Sequence, residues 1–366
     1  MKALILAGGF GTRLRPLSCT RPKLMFPVAN KPLLDWTLEQ LAESGVDTVV
    51  LAVNYMADIL KRFFKHERHG IKIIYSRERI PLGTGGPIKK AERFLREDNE
   101  PFYVLNGDIL SRIDFKDLHR FHKEKGGTIT IALREVEDPS RFGVVEVNRE
   151  DRILSFVEKP KPEESPSNLI NAGIYVMEPD IFKLIPRGRK VSTERAVFPV
   201  VAEERGLYGY RFDGVWIDTG VPSDYLTANS TMLRLISKDK PVISENAFIH
   251  EEAKVIPPAI VGGKVKIGKN ASVGPYTSIG DGVEIGEGSV IKASIVLPNT
   301  SIEREVKVDT SIVGEAVIMG RRVRVEENCL VGDGVVLQED VRLMSGVEVC
   351  PHKTIRESIT SPGIVK

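Results

Sequence analysis

From residue 249 an aliphatic side chain returns at every sixth position: Ile249, Val255, Val261, Ile267, Val273, Ile279, Ile285 and Ile291. After a slip near Pro298 the period resumes at Val313, Met319, Val325, Val331, Leu337, Leu343, Val349 and Ile355. Gly262, Gly268, Gly274, Gly280 and Gly286 each follow one of these positions directly. One inward aliphatic and one turn residue in every six predicts a left-handed parallel β-helix of hexapeptide repeats. Three hexapeptides then make a triangular coil, and each coil buries its apolar edge against its neighbours.

The first two-thirds of the chain follow another rhythm. Ala3–Ala7, Thr48–Val53, Ile71–Tyr75 and Phe102–Asn106 are short apolar runs, as expected of strands buried on both faces of a parallel sheet. Helical patterns alternate with them. In one, Asn30 is placed to cap, Pro32 to occupy the first turn, and Leu34, Leu38 and Leu41 share a face. Others run over 55–66, up to Leu95, over 192–203 and over 222–236. The alternation predicts an α/β domain over residues 1–236. The polar stretch that opens with Ser237–Pro241 reads as a linker over 237–248, and the repeat domain follows over 249–366.

In such a sheet, ligands gather at the carboxyl ends of the strands. The first strand closes with Leu6 and Ala7 and runs into Gly8, Gly9 and Gly11, where bare backbone amides can surround an anion. Thr12, Arg13 and Lys23 add a hydroxyl and two cations, which makes a pocket for a polyphosphate. A dinucleotide-binding turn or a plain tight turn would share the glycines. However, the spacing fits neither the G-x-G-x-x-G nor the P-loop pattern. A second glycine loop, Pro81–Pro87, carries Leu82, Gly83 and Thr84 at a helix start, where it could contact a base or phosphate or simply admit the helix. Gly107 and Asp108 follow the strand 102–106, and Asp218 ends a similar apolar run. Carboxylates at such ends suit Mg²⁺, although a turn or cap aspartate is the plainer reading. Gly143 opens a strand, Glu158 and Lys159 precede Pro160, and Asn171 precedes a small pair. Each of these alone is more often structural. Glu158 and Lys159 point to opposite faces unless the strand ends there, as Pro160 suggests.

The string Gly8-Gly-Phe-Gly-Thr-Arg-Leu-Arg-Pro-Leu17 followed by Arg21-Pro-Lys23 resembles the signature of the sugar-1-phosphate nucleotidyltransferases. The form of the 81–87 loop is most similar to GDP-mannose pyrophosphorylases of the eukaryotic and archaeal type. It lacks the glutamine loop of enzymes that make dTDP-glucose, and Arg15 stands where bacterial GDP-mannose enzymes usually carry Trp. The resemblance covers nearly the whole chain and implies a Rossmann-like catalytic domain. It also implies that Leu6, Ala7, Gly8, Gly9, Gly11, Thr12, Leu82, Gly83, Thr84 and Gly107 bind an NTP, most simply GTP. Arg13 and Lys23 take phosphate charge, and Asp108 and Asp218 hold Mg²⁺. Gly143, Glu158, Lys159 and Asn171 form the hexose 1-phosphate pocket. The β-helix is then expected to serve a homo-oligomer. The rivals are a uridylyl- or thymidylyltransferase acting on glucose 1-phosphate, a silent regulatory homologue, and a bifunctional acetyltransferase. His250 and His352, the two histidines of the repeat, read as structural rather than as an acetyltransferase site.

A chain of 366 residues, 42% hydrophobic, 28% charged and carrying net charge +2, is expected to form two globular domains. No basic stripe with interleaved aromatics argues for nucleic acid. Cys19, Cys329 and Cys350 are too few and too scattered for a disulfide framework or a metal cluster, which fits a reducing compartment. With no apolar run of membrane length and no signal-like start, a cytoplasmic enzyme is the expectation.

Overall fold

The computed structural model describes residues 1–366 apart from the Pro162 side chain. By their internal contacts they form two compact units, Met1–Gly9 with Leu34–Ile217 and Phe10–Leu33 with Asp218–Lys366.

The first unit is built on β1 (Lys2–Ala7), β2 (Thr48–Val53), β3 (Ile71–Arg77) and β4 (Phe102–Asn106). These four lie parallel in the order β4-β1-β2-β3. Their aliphatic runs follow from two-sided burial, and Leu4, Val50 and Val104 are wholly enclosed. The helices α1 (Leu33–Glu43), α2 (Ala57–Phe64) and α3 (Gly85–Leu95) alternate with them. The sheet continues through β5 (Ile129–Glu135), β6 (Gly143–Val147), β7 (Ile153–Glu158), β8 (Leu169–Met177) and β9 (Leu207–Arg211). Here the direction changes: β8 runs antiparallel to β4, β5 and β6. The expected parallel character therefore belongs to the first four strands, and the second half is largely antiparallel.

Two local expectations are corrected. Asn30 does not cap α1: Ala29 and Asn30 take φ of 48° and 61° and turn a hairpin between Pro27–Val28 and Lys31–Pro32. Two adjacent left-handed residues suit a two-residue hairpin turn, and Asn tolerates that conformation. The helical pattern over 192–203 breaks at Val197 into Thr193–Ala196 and Phe198–Glu203, with Pro199 in the first turn of the second helix.

In the second unit, three sheets of short parallel strands stack into the left-handed β-helix expected from the six-residue period. Ile249 pairs with Ile267 and Ile267 with Ile285, one coil of 18 residues each. The slip near Pro298 resolves into two five-residue steps, from Ile291 to Val296 and from Val308 to Val313. Ile285 therefore pairs with Ile302 and Ile302 with Met319, 17 residues apart. Val296, Ile302 and Val308 point inward with the rest and are buried. Serines line the shortened corners. Ser294 Oγ donates to Lys292 O at 2.6 Å and accepts the Ser311 N–H at 3.0 Å. The first rung forms at Val242–Ile243, within the stretch read as a linker. His250 and His352 both sit at corners, where their backbone N–H groups donate to Ile267 O and Asp333 O.

The same unit holds the segment Phe10–Leu33 and the helix Pro222–Ile236 against the coils. Asn229 Oδ1 accepts from the Ala29 N–H and from Ser278 Oγ, both at 2.8 Å. Asn30 Nδ2 donates to Ile279 O at 2.6 Å. Arg21 donates to Asp333 at 2.7 Å and to Glu315 at 2.9 Å, and Thr20 Oγ1 donates to Asp333 at 2.7 Å. Asp333 closes this network by accepting the Glu315 N–H at 2.8 Å.

Candidate active site

In the first unit the ends of the parallel strands are in register: Ala7 lies beside Val53 and Val53 beside Arg77. Gly8, Asn54 and Glu78 are therefore the first residues beyond three adjacent strands. Leu6 pairs with Asn106 at the end of β4, and the Gly107 N–H donates to Leu6 O at 3.0 Å. Asp108 thus leaves the sheet next to the end of β1, at the rim where the glycine turn starts.

The loop before α3 is fixed by close backbone contact. Val191 N donates to Leu82 O and Gly85 N to Val191 O, each at 2.9 Å. Gly83 has φ of +76°, and a Cβ there would lie 2.3 Å from Val191 O. Thr84 Oγ1 meets Thr193 Oγ1 at 2.8 Å, donates to Glu194 Oε2 at 2.7 Å and accepts the Thr193 N–H at 2.9 Å. Gly83→Ala is accordingly expected to lose about 2 kcal/mol or more, since both the dihedral and the contact resist it. A denaturant midpoint equal to wild type would show that the 189–193 segment yields instead.

The four residues assigned to a sugar pocket also belong to this unit. Gly143 pairs with Glu158 across β6 and β7, and a Cβ on Gly143 would meet Phe156 Cζ at 2.5 Å and Glu158 Oε2 at 3.0 Å. The glycine therefore makes room for a phenyl ring of the protein itself. β7 ends at Glu158, Lys159 turns to φ 52°, and its ammonium lies 3.9 Å from Glu158. Burial, and then the nearby Glu194, push the Glu158 carboxyl above its usual range. Asn171 sits at a register shift of β8, with both ends of its amide engaged: Nδ2 donates to Tyr175 OH and Oδ1 accepts the Gly173 N–H, each at 2.9 Å. Beside it, Trp216 Nε1 donates to Ala172 O at 2.8 Å, and the Trp216 indole meets the Phe142 ring edge-on at 5.3 Å.

The second unit brings together three other predicted residues. Gly11, at φ 59°, starts a tight turn over Thr12–Leu14. Its carbonyl accepts the Leu14 N–H at 2.9 Å and Ser18 Oγ at 2.7 Å. Arg13 and Asp218 both crowd Gly220: a Cβ there would lie 2.8 Å from the Arg13 guanidinium and 2.9 Å from Asp218 Oδ1. Lys23 is buried, with Nζ 3.7 Å from Asp218 Oδ1. Two cations and a carboxylate thus share one small space beside a glycine.

A family model for nucleotidyl transferases matches residues 2–234, and a second, described as the GMPPB C-terminal domain, matches residues 240–365. The chain belongs to the nucleotidyl transferase family. Over the full length of both chains it is 41% identical to mannose-1-phosphate guanyltransferase beta-A of Xenopus laevis. It is 42% identical, again over both full chains, to a mannose-1-phosphate guanyltransferase of Eremothecium gossypii. Among solved structures, a UDP-glucose pyrophosphorylase complexed with UDP-glucose matches at 26% identity and TM-score 0.57, covering 64% of this chain and 98% of that one.

Four residues of this nucleotidyl transferase had no sequence signal. Thr193 and Glu194 hold Thr84 from 109 and 110 positions away. Trp216 braces the bulge after Asn171, and Glu78 follows a strand with nothing in its neighbours to mark it. Among the described residues no three His, Cys, Asp or Glu side chains gather as a metal cage. Asp218 ends its strand with a carboxylate, the kind of donor Mg²⁺ takes one or two at a time with phosphate and water completing its shell. Among the described residues no helix is long and apolar enough to cross a membrane.

Proposed function

We propose that this protein transfers a guanylyl group from GTP to mannose 1-phosphate, giving GDP-mannose and pyrophosphate. One observation carries the reading: the whole chain, both units included, aligns without remainder with mannose-1-phosphate guanyltransferases at about 40% identity. The gathering of Arg13, Lys23 and Asp218 around Gly220 supports it chemically.

A phosphate oxygen of the sugar attacks the α-phosphorus of the nucleotide in line, and the bond to the pyrophosphate oxygen breaks. The nucleophile is already anionic, so no side chain has to remove a proton. Catalysis reduces to aiming the two phosphates and offsetting charge. Gly8, Gly9, Gly11 and Thr12 present amides and a hydroxyl to the triphosphate, together with Leu6, Ala7 and Gly107 at the strand ends. Arg13 offsets charge on the departing pyrophosphate, and Lys23 neutralises phosphate oxygens. Leu82, Gly83 and Thr84 border the base. Glu158 accepts from sugar hydroxyls, Lys159 meets the sugar phosphate, and Gly143 and Asn171 set the shape of that pocket. Asp108 and Asp218 would hold Mg²⁺, which when bound lowers the charge the two phosphates present to each other.

Pyrophosphate release measured for GTP, UTP, dTTP and ATP against mannose 1-phosphate and glucose 1-phosphate tests the assignment. GTP with mannose 1-phosphate should turn over fastest. Faster turnover of UTP or dTTP with glucose 1-phosphate would replace this reading with a uridylyl- or thymidylyltransferase. A second copy of the chain is the proposed partner. The exposed apolar side chains Val242, Ile243 and Phe248 on the opening coil support it, and light-scattering mass in solution would test it. The three cysteines are unpaired, which supports a cytoplasmic setting.

A further inference from the structure

Helix α3 buries one face and charges the other. Ile88, Ala91 and Leu95 are enclosed, whereas Gly86, Lys89, Lys90 and Arg93 share the opposite face at i, i+3, i+4 and i+7. That second face lines a cavity of about 620 Å³, whose other walls come from the stretch 77–82 and from Arg187 and Gly188. Six of the lining side chains are cations, Arg77, Arg79, Lys89, Lys90, Arg93 and Arg187, and one is an acid, Glu92. The whole chain carries a net charge of only +2. Glu92 is already engaged, 3.0 Å from Lys89 and 3.5 Å from Arg96. Arg77, Arg79, Arg93 and Arg187 have no carboxylate within ion-pair reach among the described residues. The two lysines are tied to the walls: Lys89 Nζ donates to Phe182 O at 2.7 Å, and Lys90 Nζ donates to Arg77 O. Like charges three and four positions apart weaken a helix, so this face works against folding until an anion enters. Among the described residues, Gly8, Gly9, Gly107 and Asp108 do not line the cavity, which is therefore separate from the pocket proposed for the triphosphate.

We propose that this cavity is an effector site for a small polyphosphate anion, free or carried on a nucleoside, and that the 81–87 loop responds to its occupancy. Guanidinium groups bind phosphate oxygens in pairs, and a chain of phosphates offers acceptors to several of them at once. The volume lies within the range of small-molecule sites. Ile80, 65% exposed, and Leu82 add apolar surface on which a ring can rest. Leu82 is the element through which the cavity reaches the loop. Its carbonyl accepts the Val191 N–H at 2.9 Å, and a Cβ on Gly86 would lie 2.3 Å from Leu82 Cβ. Arg79 stands three positions before Leu82, and Arg187 four before Val191. An anion that draws these guanidinium groups inward therefore pulls on both strands of one packed unit. Two sites that bias the same packed element are coupled, and the coupling is reciprocal. The inference holds whichever base the enzyme prefers.

Tripolyphosphate and ATP are the probes, and the Arg13→Ala protein is the background, because it weakens the pocket proposed for catalysis. Calorimetry should show tripolyphosphate binding this protein at one site per chain, more weakly as salt is raised. Adding Arg93→Glu and Arg187→Glu should lower that affinity about 10-fold or more, as expected for lost hydrogen bonds between charged groups. Arg93→Gln with Arg187→Gln should lower it in the same direction by less, and this pair decides the matter should the charge-reversed protein not fold. Undiminished affinity in the cavity variants would overturn the proposal. ATP binding tighter than tripolyphosphate would assign the site to a nucleotide, and equal affinity to the free polyphosphate. In otherwise wild-type enzyme, tripolyphosphate should change the rate of nucleotide-sugar formation at saturating NTP and sugar 1-phosphate. A mere competitor for the catalytic pocket cannot do this. Arg93→Glu with Arg187→Glu should keep the wild-type kcat in the absence of the anion and lose the response to it. A wild-type kcat that tripolyphosphate leaves unchanged would overturn the effector role.

Discussion

Arg13→Ala and Asp108→Asn are each expected to lower turnover by about 100-fold or more while leaving the protein folded. The expectation for Arg13 follows from how it is held. Its backbone belongs to a turn secured by Gly11 O, which accepts the Leu14 N–H and Ser18 Oγ whether or not residue 13 carries a guanidinium. Truncation therefore removes charge from beside Gly220 and leaves the turn in place. The charge is needed most when the pyrophosphate departs, so the loss should appear in kcat as well as in kcat/KM. Asp108 follows Gly107, whose N–H is bound to Leu6 O, and Asp108→Asn keeps the side chain's shape while removing the negative charge a cation requires. Raising Mg²⁺ should recover part of the Asp108→Asn loss and none of the Arg13→Ala loss. Melting curves superimposable on wild type, with pyrophosphate release down by the stated factor, are the expected pair of results. Wild-type turnover in both variants would refute the assignment of the site.

The second large effect is expected far along the chain from the signature loop. Asp333→Ala should destabilise the second unit by about 3–5 kcal/mol, the usual cost of leaving one partner of a buried ion pair alone. The Arg21 and Asp333 side chains are 14% and 12% exposed, so solvent screens them little. Arg21 would keep Glu315, whose side chain is 44% exposed, and that contact is too wet to replace the one lost. Thr20 Oγ1 loses the nearer of its two acceptors and keeps Leu17 O at 3.2 Å. Because Arg21 stands two residues before Lys23, the variant should also lose activity, although residue 333 takes no part in the chemistry. Replacing both partners together, Arg21→Met with Asp333→Leu, should recover most of the stability by removing the stranded charge. Thermal melts of Arg21→Met, Asp333→Leu and the double variant, set out as a cycle, measure the coupling. Additive losses would mean that the pair is an incidental surface contact.

The elements that were legible in the sequence are those whose cause is local. The six-residue period announces a coil because every coil buries the same kind of side chain at the same place. The β4 strand was predicted at its observed bounds, Phe102–Asn106, because a strand buried on both faces must be apolar throughout. The two five-residue steps were harder to see. A coil loses one residue at each, and the apolar positions 296, 302 and 308 then fall out of phase with those before and after. The tethers of Phe10–Leu33 were not legible at all. Arg21 and Asp333 are 312 residues apart, and nothing near either one indicates its partner. The candidate site divides in the same way. Glycine turns and strand-end aspartates carry patterns, whereas Glu78, Thr193 and Glu194 matter only through neighbours that the fold supplies.

The segment that carries Arg13 and Lys23 is fastened to the coils at two heights, by Asn30 at Ile279 and by Arg21 at Asp333. Between those heights the ladder climbs three rungs, from Ile279 through Val296 and Val313 to Val331. Strands stack about 4.8 Å apart, so one added or deleted turn in that interval would shift one fastening against the other by that much. Beyond Val349 the stack could grow or shrink without disturbing either fastening. The solenoid thus works as a gauge of fixed length on one stretch and as free rod on the other.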